Sequence, residues 1–142
     1  MLLYLDNCSF NRPFDNQTQL SISLESQAKL FIQQGILQGH FQLLWSYVLE
    51  HENSKNPFNE RLASIYSWKE LAVRHIIETE EILAFGESLM DRGLKMLDAL
   101  HIACAYYGGC ERFITVDKKL INKPITEVVV QNPVEFIREL GA

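Results

Sequence analysis

Four short apolar runs, each stopped by polar residues and parted from the next by helical periodicity, constrain this chain more than any other feature. They are Leu2–Leu5, Gln42–Ser46, residues 113–116 and residues 128–130. Apolar runs this short read as buried strands, and strands buried on both faces and alternating with helices point to a parallel sheet. The expected fold is therefore α/β, a three-layer α/β/α sandwich around a central, mainly parallel sheet.

The intervening segments carry the helical pattern. From about Gln19, Leu20, Leu24, Ala28, Phe31 and Ile32 recur every three or four residues, and Gly35 and Gly39 mark the end of that helix. A short helix through Glu50 and Glu52 stops before Pro57, and Leu62, Ile65, Trp68 and Ala72 form another stripe. Thr79 is placed to cap a helix that has Glu80 and Glu81 in its first turn, Ile82, Phe85 and Leu89 on its buried face and Gly93 at its end. The helix over 95–107 sets Leu97, Leu100, Cys104 and Tyr107 on one stripe and Asp98 with His101 on the next. Asn132-Pro133-Val134-Glu135 has the cap, N1 proline and N3 glutamate of a helix start, whereas the first strand opens at Asp6-Asn7-Cys8-Ser9 into a loop that carries residues 11–16.

A chain of 142 residues, 47% apolar and 22% charged, is expected to form a single domain over 1–142. Met1 to Leu5 is too short for a signal peptide or a span, and no later run suits a bilayer, so no membrane partner is expected. Three cysteines, Cys8, Cys104 and Cys110, fit neither a zinc ribbon nor a redox pair, and the expected location is the cytoplasm. The net charge of −5 argues against a protein that coats nucleic acid through its whole surface. It leaves room for a carboxylate cluster around metal ions, which reverse the local field.

Four acids fall where such a sheet would gather them. Asp6 and Asp117 each follow a strand, at the carboxyl edge where ligands bind in open α/β sheets. Glu52 lies in the helix after the second strand, and Asp98 in the first turn of the helix leading to the strand that ends at Asp117. Singly, each has a plainer role: Asp6 a turn former, Asp117 and Asp98 answering helix ends, Glu52 a solvated charge. Together they make an oxygen-only ligand set, which suits Mg²⁺ or Mn²⁺ rather than zinc.

Several segments resemble the PIN-domain family. Tyr4-Leu5-Asp6-Asn7 looks like its opening strand and first acid, and residues 46–52 like the segment in which a small polar residue ends the second strand before a glutamate. Leu97-Asp98-Ala99-Leu100-His101-Ile102-Ala103 is similar to the family's DALHIA helix, and Phe113-Ile114-Thr115-Val116-Asp117 to the strand and TxD turn after it. The resemblance implies a metal-dependent ribonuclease, often the toxin of a VapC-type toxin–antitoxin pair. Asp6, Glu52, Asp98 and Asp117 would be its catalytic, metal-binding quartet, with Thr115 supporting the last. An antitoxin protein and a second copy of the chain are the partners it implies besides RNA. The family often has asparagine two residues after the first acid; Cys8 stands there, and Asn7 and Ser9 are the alternatives for that role. Glu50 and Glu52 sit roughly 200° apart on a helix, so one faces the site; the family spacing from Ser46 favours Glu52.

Further candidates are His101, one turn beyond Asp98, to orient a carboxylate, and Arg12 and Lys118 for phosphates; Lys118, Lys119 and Lys123 form the basic patch near the rim. Plain packing or surface roles compete with each. The alternative to a nuclease is a catalytically inactive PIN-fold module that binds RNA or protein. A dehalogenase-like phosphatase would want a second aspartate at Cys8, and a Rossmann dehydrogenase a GxGxxG that is missing here.

Overall fold

A computed structural model describes residues 1–141 of the chain, and of Phe14 the backbone alone. The strands are β1 (Leu2–Leu5), β2 (Gln42–Ser46), β3 (Arg74–Ile76), β4 (Arg112–Ile114) and β5 (Val130–Gln131). They form one sheet in the order β3-β2-β1-β4-β5, and every pairing is parallel. The helices are α1 (Asn7–Asn11), α2 (Leu20–Leu37), α3 (Tyr47–Ser54), α4 (Asn59–Lys69), α5 (Glu80–Asp91), α6 (Met96–Tyr107), α7 (Lys118–Ile121) and α8 (Pro133–Glu139). A 3-10 turn, Arg12–Phe14, follows α1.

The strand order explains the layers. Crossovers between parallel strands are right-handed, so those stepping from β1 to β2 to β3 lie on one face of the sheet. The crossover that returns from β3 to β4 must then lie on the other. It consists of α5 and α6, which pack closely on one another, while α2 pairs with α8. This is the expected α/β/α sandwich, with β1 at its centre. Leu3, Tyr4, Leu5, Leu43, Leu44, Phe113 and Ile114 are wholly buried, and the Tyr4 and Phe113 rings stack at 5.0 Å. Because all strands run one way, Asp6, Ser46, Thr115 and Asn132 all emerge at the same carboxyl rim. Among the described residues no helix is long and apolar enough to cross a membrane.

The structure departs from the sequence reading in several places, the bounds of β4 and β5 among them. Asp6 accepts from Ser9 N at 3.0 Å and so starts α1 where a loop was expected; the turn formers Asn7, Ser9 and Asn11 are drawn into a helix by that cap. The edge strand β3 was not expected at all: it is three residues long and mostly exposed, so it carries no apolar run. The stripe on α2 also turns out differently. Leu20 is 75% exposed, Leu24 46% and Phe31 49%, while Glu25, Ser26 and Lys29 are buried with Ala28 and Ile32. Each buried polar group on that face has a partner: Glu25 takes the Asn132 amide at 2.5 Å, and Ser26 donates to the Arg12 carbonyl at 3.1 Å. Lys29 Nζ lies 4.7 Å from the Phe10 ring centroid; with the Gln33 amide turned so that its oxygen faces the two donors around it, that oxygen accepts from Lys29 Nζ at 2.7 Å and from Trp68 Nε1 at 3.1 Å. Gly35 does not end α2; a Cβ there would meet the Phe41 ring at 2.5 Å, so the glycine admits that ring and the helix runs on to Leu37.

Candidate functional site

The carboxyl rim of the sheet gathers the four acids. Asp6, only 4% exposed, is held at both oxygens: Oδ1 takes Ser9 N at 3.0 Å and Oδ2 takes Thr115 Oγ1 at 2.6 Å. Thr115 Oγ1 in turn accepts from Asp117 N at 3.1 Å, so this threonine joins the acids that end β1 and follow β4. Its reach is wider than the expected support of Asp117 alone. Asp117 caps α7, with Oδ1 accepting from Lys119 N at 2.9 Å and Leu120 N at 3.4 Å. The plainer role foreseen for it, a helix cap, is thus also met.

Asp98 sits half-buried in the first turn of α6. Burial raises its carboxyl above the usual range, the Asp117 and Glu52 carboxylates push the same way, and His101 and Lys95 pull it back. Burial likewise raises Asp6, against the opposing pull of its Thr115 and Ser9 hydrogen bonds and of His101. Cys8 lies amid all four acids. Desolvation, and then the Asp6, Glu52, Asp117 and Asp98 carboxylates, push its thiol up to about 12, although the residue retains exposed surface. It stays a protonated thiol.

Glu50 and Glu52 point different ways, as their spacing requires. Glu50 turns to the sheet edge, accepting from Trp45 Nε1 at 2.9 Å and pairing with Lys69 at 2.8 Å. Glu52 turns toward α6, where Oε1 meets His101 Nε2. His101 is 2% exposed, and its Nδ1 meets the Tyr4 hydroxyl at 2.5 Å. That hydroxyl, kept protonated because burial raises it well above the tyrosine range, lies 2.6 Å from Ser46 Oγ.

The other candidates divide. Ser9 is wholly buried; its hydroxyl donates to the Ile114 carbonyl at 2.9 Å and also lies near enough to Asp6 to favour its carboxylate form. Asn7 Oδ1 is buried without a partner, which leaves an oxygen to offer at the rim. Arg12 is drawn inward by Asp15 at 3.2 Å and Glu25 at 3.3 Å. It lines, with Asn7, Cys8, Asn11, Asp15, Val116 and Asp117, an open groove of about 380 Å³ beside the acids. On the other side of Asp117, a small pocket is lined by Asp98, Lys95, Lys119 and Lys123. No salt bridge among the described residues holds these three lysines, whereas Arg92 beside them is paired with Glu127 at 2.7 Å. Lys118 stands exposed on α7 outside that pocket. Lys95 was missed in the sequence because it stands alone there, far from the other lysines.

Among the described residues, no three His, Cys, Asp or Glu side chains already close on one point at metal-ligand distance. The acids form an open basin. Its donor chemistry still fits a hard divalent cation: carboxylate oxygens and an unpartnered amide oxygen, with two of the acids raised by burial. Mg²⁺ in particular keeps several of its waters and needs few direct protein ligands.

The sequence matches no protein-family model and no curated protein. Solved structures share the fold, among them these two. A chain in the crystal structure of VapBC2 from Rickettsia felis, bound to a DNA fragment from their promoter, superposes with a TM-score of 0.60 at 14% identity, covering 93% of this chain and 98% of that one. PAE2754 from Pyrobaculum aerophilum superposes with a TM-score of 0.53 at 13% identity, covering 99% and 98%. At these identities the likeness is one of fold, and the fold is the PIN-type sandwich.

Proposed function

We propose that this protein is a divalent-metal-dependent endoribonuclease with Asp6, Glu52, Asp98 and Asp117 as the acids that hold Mg²⁺ or Mn²⁺. The observation that carries the reading is the gathering of all four carboxylates, from four separate parts of the chain, around Cys8 at the carboxyl rim. Burial and mutual repulsion raise Asp98, a cost that a bound cation would offset. When bound, the ion supplies Lewis-acid stabilisation of the charge that develops on a phosphodiester during hydrolysis.

The chain's own residues supply the rest. Ser9 N and Thr115 Oγ1 fix the direction of Asp6, Thr115 carries that order to Asp117, and His101 orients Glu52. Lys95, Lys119 and Lys123 favour a backbone phosphate on one side of the acids, while the groove past Asn7 and Asn11 receives the strand on the other. Arg12, tied to Asp15 and Glu25, shapes that groove rather than reaching out to a phosphate. The fold shared with a chain of a VapBC2 complex supports a toxin–antitoxin setting. The partners proposed in that setting are an antitoxin over the acidic rim and a second copy of the chain.

Cleavage of a mixed set of single-stranded and structured RNAs, with Mn²⁺, Mg²⁺ or EDTA, tests this reading. Wild type should cut only with metal, and Asp98→Asn should lose on the order of a thousandfold in rate. The open spacing of the acids favours one other reading, a module that binds RNA or a partner without cutting. RNA bound but left intact by folded protein under every metal would replace the nuclease with that module.

A further inference from the structure

The hydrogen bonds that run from Glu52 into the core have a direction, and proton counting gives it. Leu49 N donates to Ser46 Oγ at 3.2 Å, so the serine hydroxyl has its proton left to give. Tyr4 Oη lies 2.6 Å from it and accepts. The single Tyr4 proton then goes to His101 Nδ1, 2.5 Å away. A ring nitrogen that accepts carries no proton, which places the imidazole proton on Nε2, facing Glu52 Oε1. The reverse order would send the Ser46 proton to the Cys104 thiol beside it, a weak acceptor. It would also turn a bare Nε2 lone pair toward a carboxylate. Tyr4 and Ser46 are wholly buried and His101 nearly so, so water cannot repair a broken link.

We propose that Tyr4 and Ser46 are positioning residues: they lock His101 as its Nε2–H tautomer, and that tautomer holds Glu52 in the acid cluster. The proposal rests on the reading of Glu52 as a metal-holding acid. The relay joins β1, the β2–α3 junction and α6, the same elements that carry Asp6, Glu52 and Asp98. A hydroxyl in the core that touches none of the acids thereby sets their grip on a divalent cation, as outer hydrogen bonds do for metal ligands generally.

Two measurements test this on the full chain. Nitrogen NMR of the His101 ring in metal-free protein should show the Nε2–H tautomer in wild type and its loss in Tyr4→Phe, which keeps the ring stacked on Phe113. Mn²⁺ titration, by calorimetry or by the free-ion electron-spin signal, should show binding weakened on the order of tenfold in Tyr4→Phe and Ser46→Ala. His101→Gln, whose amide can still donate to Glu52, should bind better than His101→Leu, a rescue that mere packing would not produce. Tyr4→Phe with wild-type tautomer and wild-type Mn²⁺ affinity overturns the proposal, as does an Nδ1–H ring in wild type. Wild-type protein that takes up no Mn²⁺ sinks the metal-site reading instead, and the tautomer shift then still decides whether the lock exists.

Discussion

The acid rim and the Lys29 site under α2 both place an ionisable group in a poorly solvated setting without a salt bridge, and they resolve the problem in opposite ways. At the rim, Asp6 and Asp98 have raised carboxyls, and the surface beside them is open to an ion. Lys29 is wholly buried, its amine is pushed well below the lysine range by desolvation alone, and its neighbours are Gln33, Phe10 and Trp68. In both cases burial without a counter-charge favours the neutral form. At the rim a bound cation would favour the charged form again; at Lys29 no charged neighbour among the described residues opposes the desolvation. A misfit open to solvent and ions is a candidate site, and a sealed one is a structural compromise.

The contrast predicts opposite pH slopes. A carboxyl raised by folding favours the folded state below the ordinary carboxylate range, and the advantage is lost as pH rises through its folded value. Metal-free protein should therefore lose stability as pH climbs from about 4 toward neutrality. A lysine lowered by folding contributes stability that is present above its unfolded value and lost as pH falls toward its folded one. From about pH 7 to about pH 9.5 the urea midpoint should accordingly rise.

The largest expected effect comes from Mn²⁺ at about a hundred times its dissociation constant, which should stabilise the protein by about 2.7 kcal/mol and flatten the acid-side slope. Thermal melts with and without metal read this directly; an unchanged melt would remove the distinction between the two regions. Next comes Lys29→Met, which should add about 1 kcal/mol at neutral pH and abolish the alkaline slope in urea titrations. The Gln33 oxygen keeps its Trp68 donor in that variant, so no acceptor is orphaned. A destabilised Lys29→Met would mean that the amine contributes more through Gln33 and the aromatic rings than burial takes away. The smallest belongs to Glu50→Gln. Its pair with Lys69 is partly exposed, so stability should move by about 0.5 kcal/mol or less and metal binding should stay at the wild-type level. Weakened Mn²⁺ binding in Glu50→Gln would transfer the role of second acid from Glu52.

Much of this was legible in the sequence where a local rule and the tertiary structure agree. β1 and β2 announce themselves as apolar runs, Thr79 and Asn132 as caps, and the acids as residues following strands or opening helices. Where burial is decided by distant partners, sequence periodicity misleads. The polar face of α2 is inside because Asn132, Arg12, Phe10 and Trp68 meet it there, while Leu20 and Leu24 remain outside. β3 was invisible because an edge strand needs only backbone pairing on one side, and its register with β2 is set by hydrogen bonds that side chains do not advertise. At the rim, spacing could set Glu52 against Glu50 but could not show that His101 meets Glu52, nor that Tyr4 and Ser46 stand behind it.

The central place of β1 has a consequence for when the site comes into being. Asp6 precedes its Thr115 partner by 109 residues, and β1 waits for β4 to take its place beside it. Domains fold as units during synthesis, so a nascent chain short of β4 carries three of the acids and no assembled rim. On the proposed reading, the acid rim is completed only once β4 and the segment carrying Asp117 have been made.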